Sequence, residues 1–251
     1  MANILDRYGI KEVADVTFYE IGTDGNPGAP VLYLDTLKVS TIEQTAENAE
    51  ARGGKGNPAL ISWDYGKEIT VTLEDALYSA KSLALMFGDV DANSLPAVES
   101  VSGQYLRKTV RAEELKEGKV EVNGTVITFA TEEGYEIEYY DAAGKKLDDA
   151  TGAVYATGYF KPNHAMTIDV SANTFPGTYY ITGDTYARSE TTGKDDFFQF
   201  IIPKAKVLSE SNTLTLEAEG DPTVFSMSLK VLKAKGQPMM KLVQYDFVAG
   251  E

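Results

Sequence analysis

Apolar and polar residues alternate with a period of two along most of this chain. Ile69, Val71 and Leu73 are separated by Thr70 and Thr72, and Met166, Ile168 and Val170 surround Asp169 in the same way. Leu214, Leu216 and Ala218 interleave with Thr215, Glu217 and Glu219, and Phe225, Met227, Leu229 and Val231 with Ser226, Ser228 and Lys230. Val243, Tyr245 and Phe247 close the sequence on the same beat. Such alternation sends one set of side chains into a core and the other outward, as in a half-buried strand. Gly22-Thr-Asp-Gly-Asn-Pro-Gly28, Asn123-Gly124 and Gly220-Asp-Pro222 punctuate the runs with turn residues. Many short strands so separated predict a mostly β, antiparallel sandwich or barrel-like domain.

One segment departs from this period. Ala76, Leu77, Ala80, Leu83, Ala84 and Phe87 fall on one face of a 3.6-residue helix, with Asp75 as N-cap and Gly88 as stop. A single flanking helix over residues 75–87 is expected to cover an edge or end of the sheet. The stretch Thr41 to Pro58 is polar and ends in Ala51-Arg-Gly-Gly-Lys-Gly-Asn-Pro58, which reads as a long loop. Loops of that length inside a compact domain are functional or disordered. Trp63 and Tyr65, just beyond it, are expected to anchor the next strand where it enters the sheet. The chain reads as one β domain over 1–251, with residues 98–160 either an elaboration of it or a small insertion.

Composition narrows the chemistry. Thirty-eight acidic residues against 23 basic ones give a formal charge of −15. That balance opposes general binding to nucleic acid or to anionic lipid, both of which need Lys and Arg. With no cysteine, there is no disulfide framework, thiolate zinc site or thiol nucleophile. No apolar run approaches the ~20 residues of a membrane helix, and the N-terminus lacks an apolar signal region, so a soluble protein made in the cytoplasm is expected.

Motifs for catalysis fail individually. His164 is the only histidine and lies in the turn-like Lys161-Pro-Asn-His-Ala165, with no Gly-x-Ser-x-Gly elbow to partner it. Gly53-Gly-Lys-Gly56 lacks phosphate-loop spacing and precedes strand-like sequence. Asp89, Asp91 and Asn93 open like a calcium loop, but Ser94 stands where glycine is needed. Glu136 and Glu138 alternate as the wet face of a strand does. The expectation is a protein that is not an enzyme, with no cofactor and no metal.

Two blocks carry a resemblance. The first starts at Ala51-Arg-Gly-Gly-Lys-Gly-Asn-Pro58 and runs through Ile61-Ser-Trp-Asp-Tyr65 to Ser79. The second comprises Pro176-Gly-Thr-Tyr-Tyr-Ile-Thr-Gly-Asp-Thr-Tyr-Ala-Arg188, Asp196-Phe-Phe-Gln-Phe-Ile-Ile-Pro-Lys-Ala-Lys206 and Glu217-Ala-Glu-Gly-Asp-Pro-Thr-Val-Phe-Ser-Met-Ser228. In overall style they resemble the tail tube proteins of tailed bacteriophages. The resemblance implies a β-sandwich with a flanking helix, assembled into stacked rings, usually hexameric, around a channel that passes DNA. It implies that the Thr41–Pro58 segment reaches a neighbouring subunit, with Arg52, Gly53, Gly54, Lys55, Gly56, Asn57 and Pro58 as interface candidates. The implied partners are copies of the chain, other tail proteins and double-stranded DNA that passes without specific binding. The virion tail is the implied location, with no membrane anchor. Glu217 and Glu219 are candidates for the channel wall, where acidic side chains would let the duplex slide. Two other classes fit the residues: another virion component, such as a capsid decoration, tail terminator or baseplate protein, and an immunoglobulin-like binding module.

Overall fold

The computed structural model describes residues 7–101, 103–210, 212–215 and 223–246. From the N-terminus the chain forms β1 (Tyr8–Ile10), β2 (Asp15–Ile21), β3 (Pro27–Leu34), β4 (Leu37–Arg52), β5 (Ala59–Asp75) and α1 (Ala80–Phe87). It then enters a second compact unit, Glu99–Thr167. That unit holds β6 (Glu99–Val101), β7 (Leu106–Arg111), β8 (Lys119–Val122), β9 (Thr125–Thr128), β10 (Glu138–Tyr140), β11 (Lys146–Leu147), β12 (Tyr155–Phe160) and β13 (Ala165–Thr167). The first unit resumes with β14 (Thr178–Ser189), β15 (Asp195–Val207), β16 (Thr213–Leu214), β17 (Phe225–Val231) and β18 (Lys241–Tyr245).

The first unit is built on one antiparallel sheet in the order β3-β2-β14-β15-β17-β5-β4, with β1 added to β14, β16 to β17 and β18 to β15. Its end strands β3 and β4 do not pair with each other, so no barrel closes. The two clearest alternating runs lie side by side. Leu229 opposes Val71 and Met227 opposes Leu73, and all four are buried. Phe18, Tyr179, Ile181, Ile202 and the α1 residues Leu85 and Met86 complete the core. Gly183 is forced by its partner. It pairs with Phe200, whose ring lies so close that an added Cβ would stand 2.0 Å from its Cζ.

The single α-helix is present but starts later than expected. Asp75 ends β5, where it is buried and accepts from the Thr36 hydroxyl at 2.5 Å and the Leu77 amide at 3.2 Å. The cap is Ser79, which accepts from the Ser82 amide at 3.0 Å while Ser82 Oγ accepts from the Ser79 amide at 2.9 Å. Gly88, at φ 81°, ends the helix as expected.

The long polar loop is corrected outright. Thr41 to Arg52 belongs to β4, hydrogen-bonded along its length to β5, and only Gly53 to Pro58 turns. The strand hid from pattern reading because both its faces are wet, so nothing imposes apolar alternation. Met166 and Val170, expected to be buried, are exposed instead.

The second unit has a four-stranded sheet, β11-β10-β12-β7, beside the pairs β8–β9 and β6–β13. Its small core is Val110, Val120, Phe129 and Ala156. On its surface Tyr105 stacks on Tyr135 with ring centroids 3.9 Å apart. Glu138 accepts from Lys146 at 2.7 Å, Arg107 at 2.6 Å and Tyr140 at 3.0 Å, and the Lys146 hydrogen bond leads in holding its carboxyl below the usual range.

Candidate functional site: an exposed two-stranded arm

The β4–β5 hairpin outgrows its sheet. Only Thr70 to Asp75 of β5 pair with β17, so from Ile69 outward the two strands have no third neighbour among the described residues. At ~3.4 Å per residue, the free length from Ile69 to Ala59 is about 35 Å. An isolated ribbon of this kind satisfies its backbone but buries almost nothing.

A bulge decides which way the ribbon faces. At the foot, odd-numbered residues of β5 oppose even-numbered residues of β4: Leu73 with Ser40, Val71 with Ile42, Ile69 with Gln44. The register shifts between the pairs Thr45–Glu68 and Glu47–Tyr65, around Gly66 at φ 63°. Beyond it, Tyr65 opposes Glu47, Trp63 opposes Ala49 and Ile61 opposes Ala51. One extra residue has moved the odd row of β5 from the core side to the opposite side of the sheet.

The arm is therefore two-faced. One face carries Ile61, Trp63 and Tyr65 over Ala49 and Ala51, with Trp63 54% and Tyr65 53% exposed. Both aromatics were expected to anchor the strand by burial, and they do not, because β17 stops pairing at Thr70 and the ribbon beyond is wet on either side, with Leu60 beside them 65% exposed as well. On the other face Asn48 donates to the Ser62 hydroxyl and, at 3.0 Å, to Asp64, while Arg52 Nε donates to Glu50 at 2.8 Å. Those polar groups are mutually satisfied. Among the described residues, the apolar row has only the small side chains of Ala49 and Ala51 across the ladder.

The interface candidates Arg52, Gly53, Gly54, Lys55, Gly56, Asn57 and Pro58 are all brought together at the tip. The turn closes through the Gly53 amide to the Pro58 carbonyl and the Asn57 amide to the Gly54 carbonyl, each at 3.2 Å. Gly54 and Gly56 sit at φ 85° and 84°, in open space. Glu217 and Glu219 lie outside the described residues. The row Ile61, Trp63 and Tyr65 was missed as an interaction surface, although its period-two spacing was legible.

No competing centre forms among the described residues. None of their His, Asp and Glu side chains cluster in threes to hold a metal. Asp91 Oδ1 accepts from the Asn93 and Leu95 amides at 2.8 and 2.9 Å, and Asp89 accepts from the Asp169 amide at 2.9 Å, so both serve the backbone. His164 is exposed.

Compared with models of protein families, residues 8–241 match the one described as the YomU/Tube protein family. No curated protein matches the chain.

Proposed function

The chain belongs to the YomU/Tube protein family, and from that premise we propose that it is the structural subunit of a bacteriophage tail tube. Copies assemble into hexameric rings that stack around a channel for genome delivery, in a virion tail that also contains other tail proteins. The observation that carries this reading is the arm. It reaches about 35 Å beyond the sheet and presents a row of large apolar side chains left exposed among the described residues. Monomeric proteins rarely keep such a surface uncovered, and covering two aromatics and an isoleucine is strongly favourable.

Charge supports the conduit. Six copies at −15 give a formal −90 per ring (6 × −15). Charges act on DNA only within a screening length of about 8 Å at physiological salt, so what matters is the side chains that line the channel. Glu217 and Glu219 are proposed for that wall. DNA passes without specific binding because few Lys or Arg contacts would release its counterions.

The test is negative-stain microscopy of purified protein over a concentration series, alongside a variant in which Glu47 to Tyr65 are replaced by a two-residue turn. Tubes or stacked rings from the intact chain, and folded monomers from the shortened one, are expected. Discrete trimers or caps would instead indicate a different virion component. A strict monomer with glycan affinity would indicate a binding module.

A further inference from the structure

The first unit carries a second uncovered apolar surface. Where the sheet fails to close, a groove of about 390 Å³ runs between the segment Ile10–Ala14 and the foot of β4. Ile10, Val13, Val39 and Ile42 line it and are exposed. Lys11 and Lys38 stand at its sides, with one carboxylate, Glu12. Ser40 lines it as well, and its hydroxyl is buried with no hydrogen-bond partner among the described residues. A buried hydroxyl without a partner is costly, and such groups are uncommon in a finished structure.

We propose that this groove is the receptor for the arm of a second copy, which lays Ile61, Trp63 and Tyr65 into it. This rests on the reading of the arm as the assembly element and names its partner surface. Two features match. The apolar row meets apolar walls. Glu47, which shares the apolar face beside Tyr65, brings negative charge to a groove flanked by two lysines.

The occupant must come from another copy. The bulge at Gly66 turns the row to the side of the sheet away from the core, whereas the groove opens beside Phe200 and Ile42 on the core side. A ribbon continuous with its own foot cannot reach that groove without breaking its ladder. An arm given to one neighbour and a groove filled by another make a head-to-tail contact, which propagates into rings or filaments, whereas a reciprocal exchange between two copies would close a pair.

The experiment separates donor from receptor. Trp63→Ser disables the arm and Ile42→Asp disables the groove. Each alone is expected to lose at least tenfold in sedimenting polymer while keeping a wild-type circular dichroism spectrum. Mixed together, they retain one good arm and one good groove and should form a one-to-one dimer that stops growing. A second measurement uses the cysteine-free chain: Ile61→Cys protein mixed with Val39→Cys protein should be joined by a short bismaleimide linker. A monomeric mixture with no linked dimer would overturn the groove assignment. Wild-type polymerisation of Ile42→Asp with a stalled Trp63→Ser would overturn it too, leaving the arm reading intact. If Trp63→Ser polymerises normally, the arm reading itself falls.

Discussion

The β4–β5 hairpin is one continuous ladder with two energetic lives. At its foot Ile69, Val71 and Leu73 are each under 5% exposed, because β17 pairs alongside and α1 and the rest of the sheet close over them. Farther out, Ile61, Trp63 and Tyr65 keep the same period and the same chemistry and are more than half exposed. Backbone pairing therefore does not imply burial. A strand's hydrogen bonds are satisfied by one neighbour, whereas its apolar row needs a second layer, which for the arm the described residues do not supply.

Substitutions should separate the two lengths. The largest effect belongs to the foot: Leu73→Ala removes a side chain 1% exposed and should cost about 2–5 kcal/mol in urea unfolding. Next is the junction. Gly66→Val puts a β-branched residue at φ 63°, a penalty of about 1–2 kcal/mol. Because the arm can fray without opening the foot, that penalty should appear as roughly tenfold faster amide exchange in the arm. Foot amides should keep their wild-type protection, and acceleration there would show that the two lengths unfold together.

The first unit also holds a buried tyrosine that responds to alkali. Burial pushes the Tyr179 hydroxyl up to about 12, and it donates to the Ser94 carbonyl at 2.5 Å. The unfolded chain ionises a tyrosine near 10, so this contribution is complete below that pH and lost as pH climbs from about 10 to about 12. Tyr179→Phe should cost about 1 kcal/mol at neutral pH and flatten the alkaline decline. A pH–melting curve of both proteins reads this, and an unchanged alkaline slope would assign the decline to other groups. The smallest effect is Trp63→Ala, expected to stay within about 0.5 kcal/mol of wild type. A loss of several kcal/mol would mean that the indole is buried after all, and the contrast between foot and arm would collapse.

How much of this could be read in advance follows the same division. The runs at Ile69–Leu73 and Phe225–Val231 were legible because burial on one face writes a period of two into the sequence, and they prove to be partners. Residues Thr41 to Arg52 were not, since a ribbon wet on both sides leaves no such trace. The helix start was misplaced by reading Asp75 as a cap. Its carboxylate is engaged by Thr36, a residue 39 positions earlier, and no local signal reports that. The tip residues were found as a group through resemblance, but the exposure of Trp63 and Tyr65 follows from β17 pairing with β5 only as far as Thr70, which no local pattern reports.

The turn at Gly53–Pro58 has a mechanical consequence. Because it returns the chain to the foot, both ends of the arm are rooted in the same sheet. Tension applied at the tip is shared by two covalent backbones pulled in the same direction, which neither peels the rungs apart nor slides one strand past the other. The ribbon behaves as a doubled cord. Under load it should outlast whatever grips its end, so the grip, and not the cord, sets the force at which neighbouring copies part.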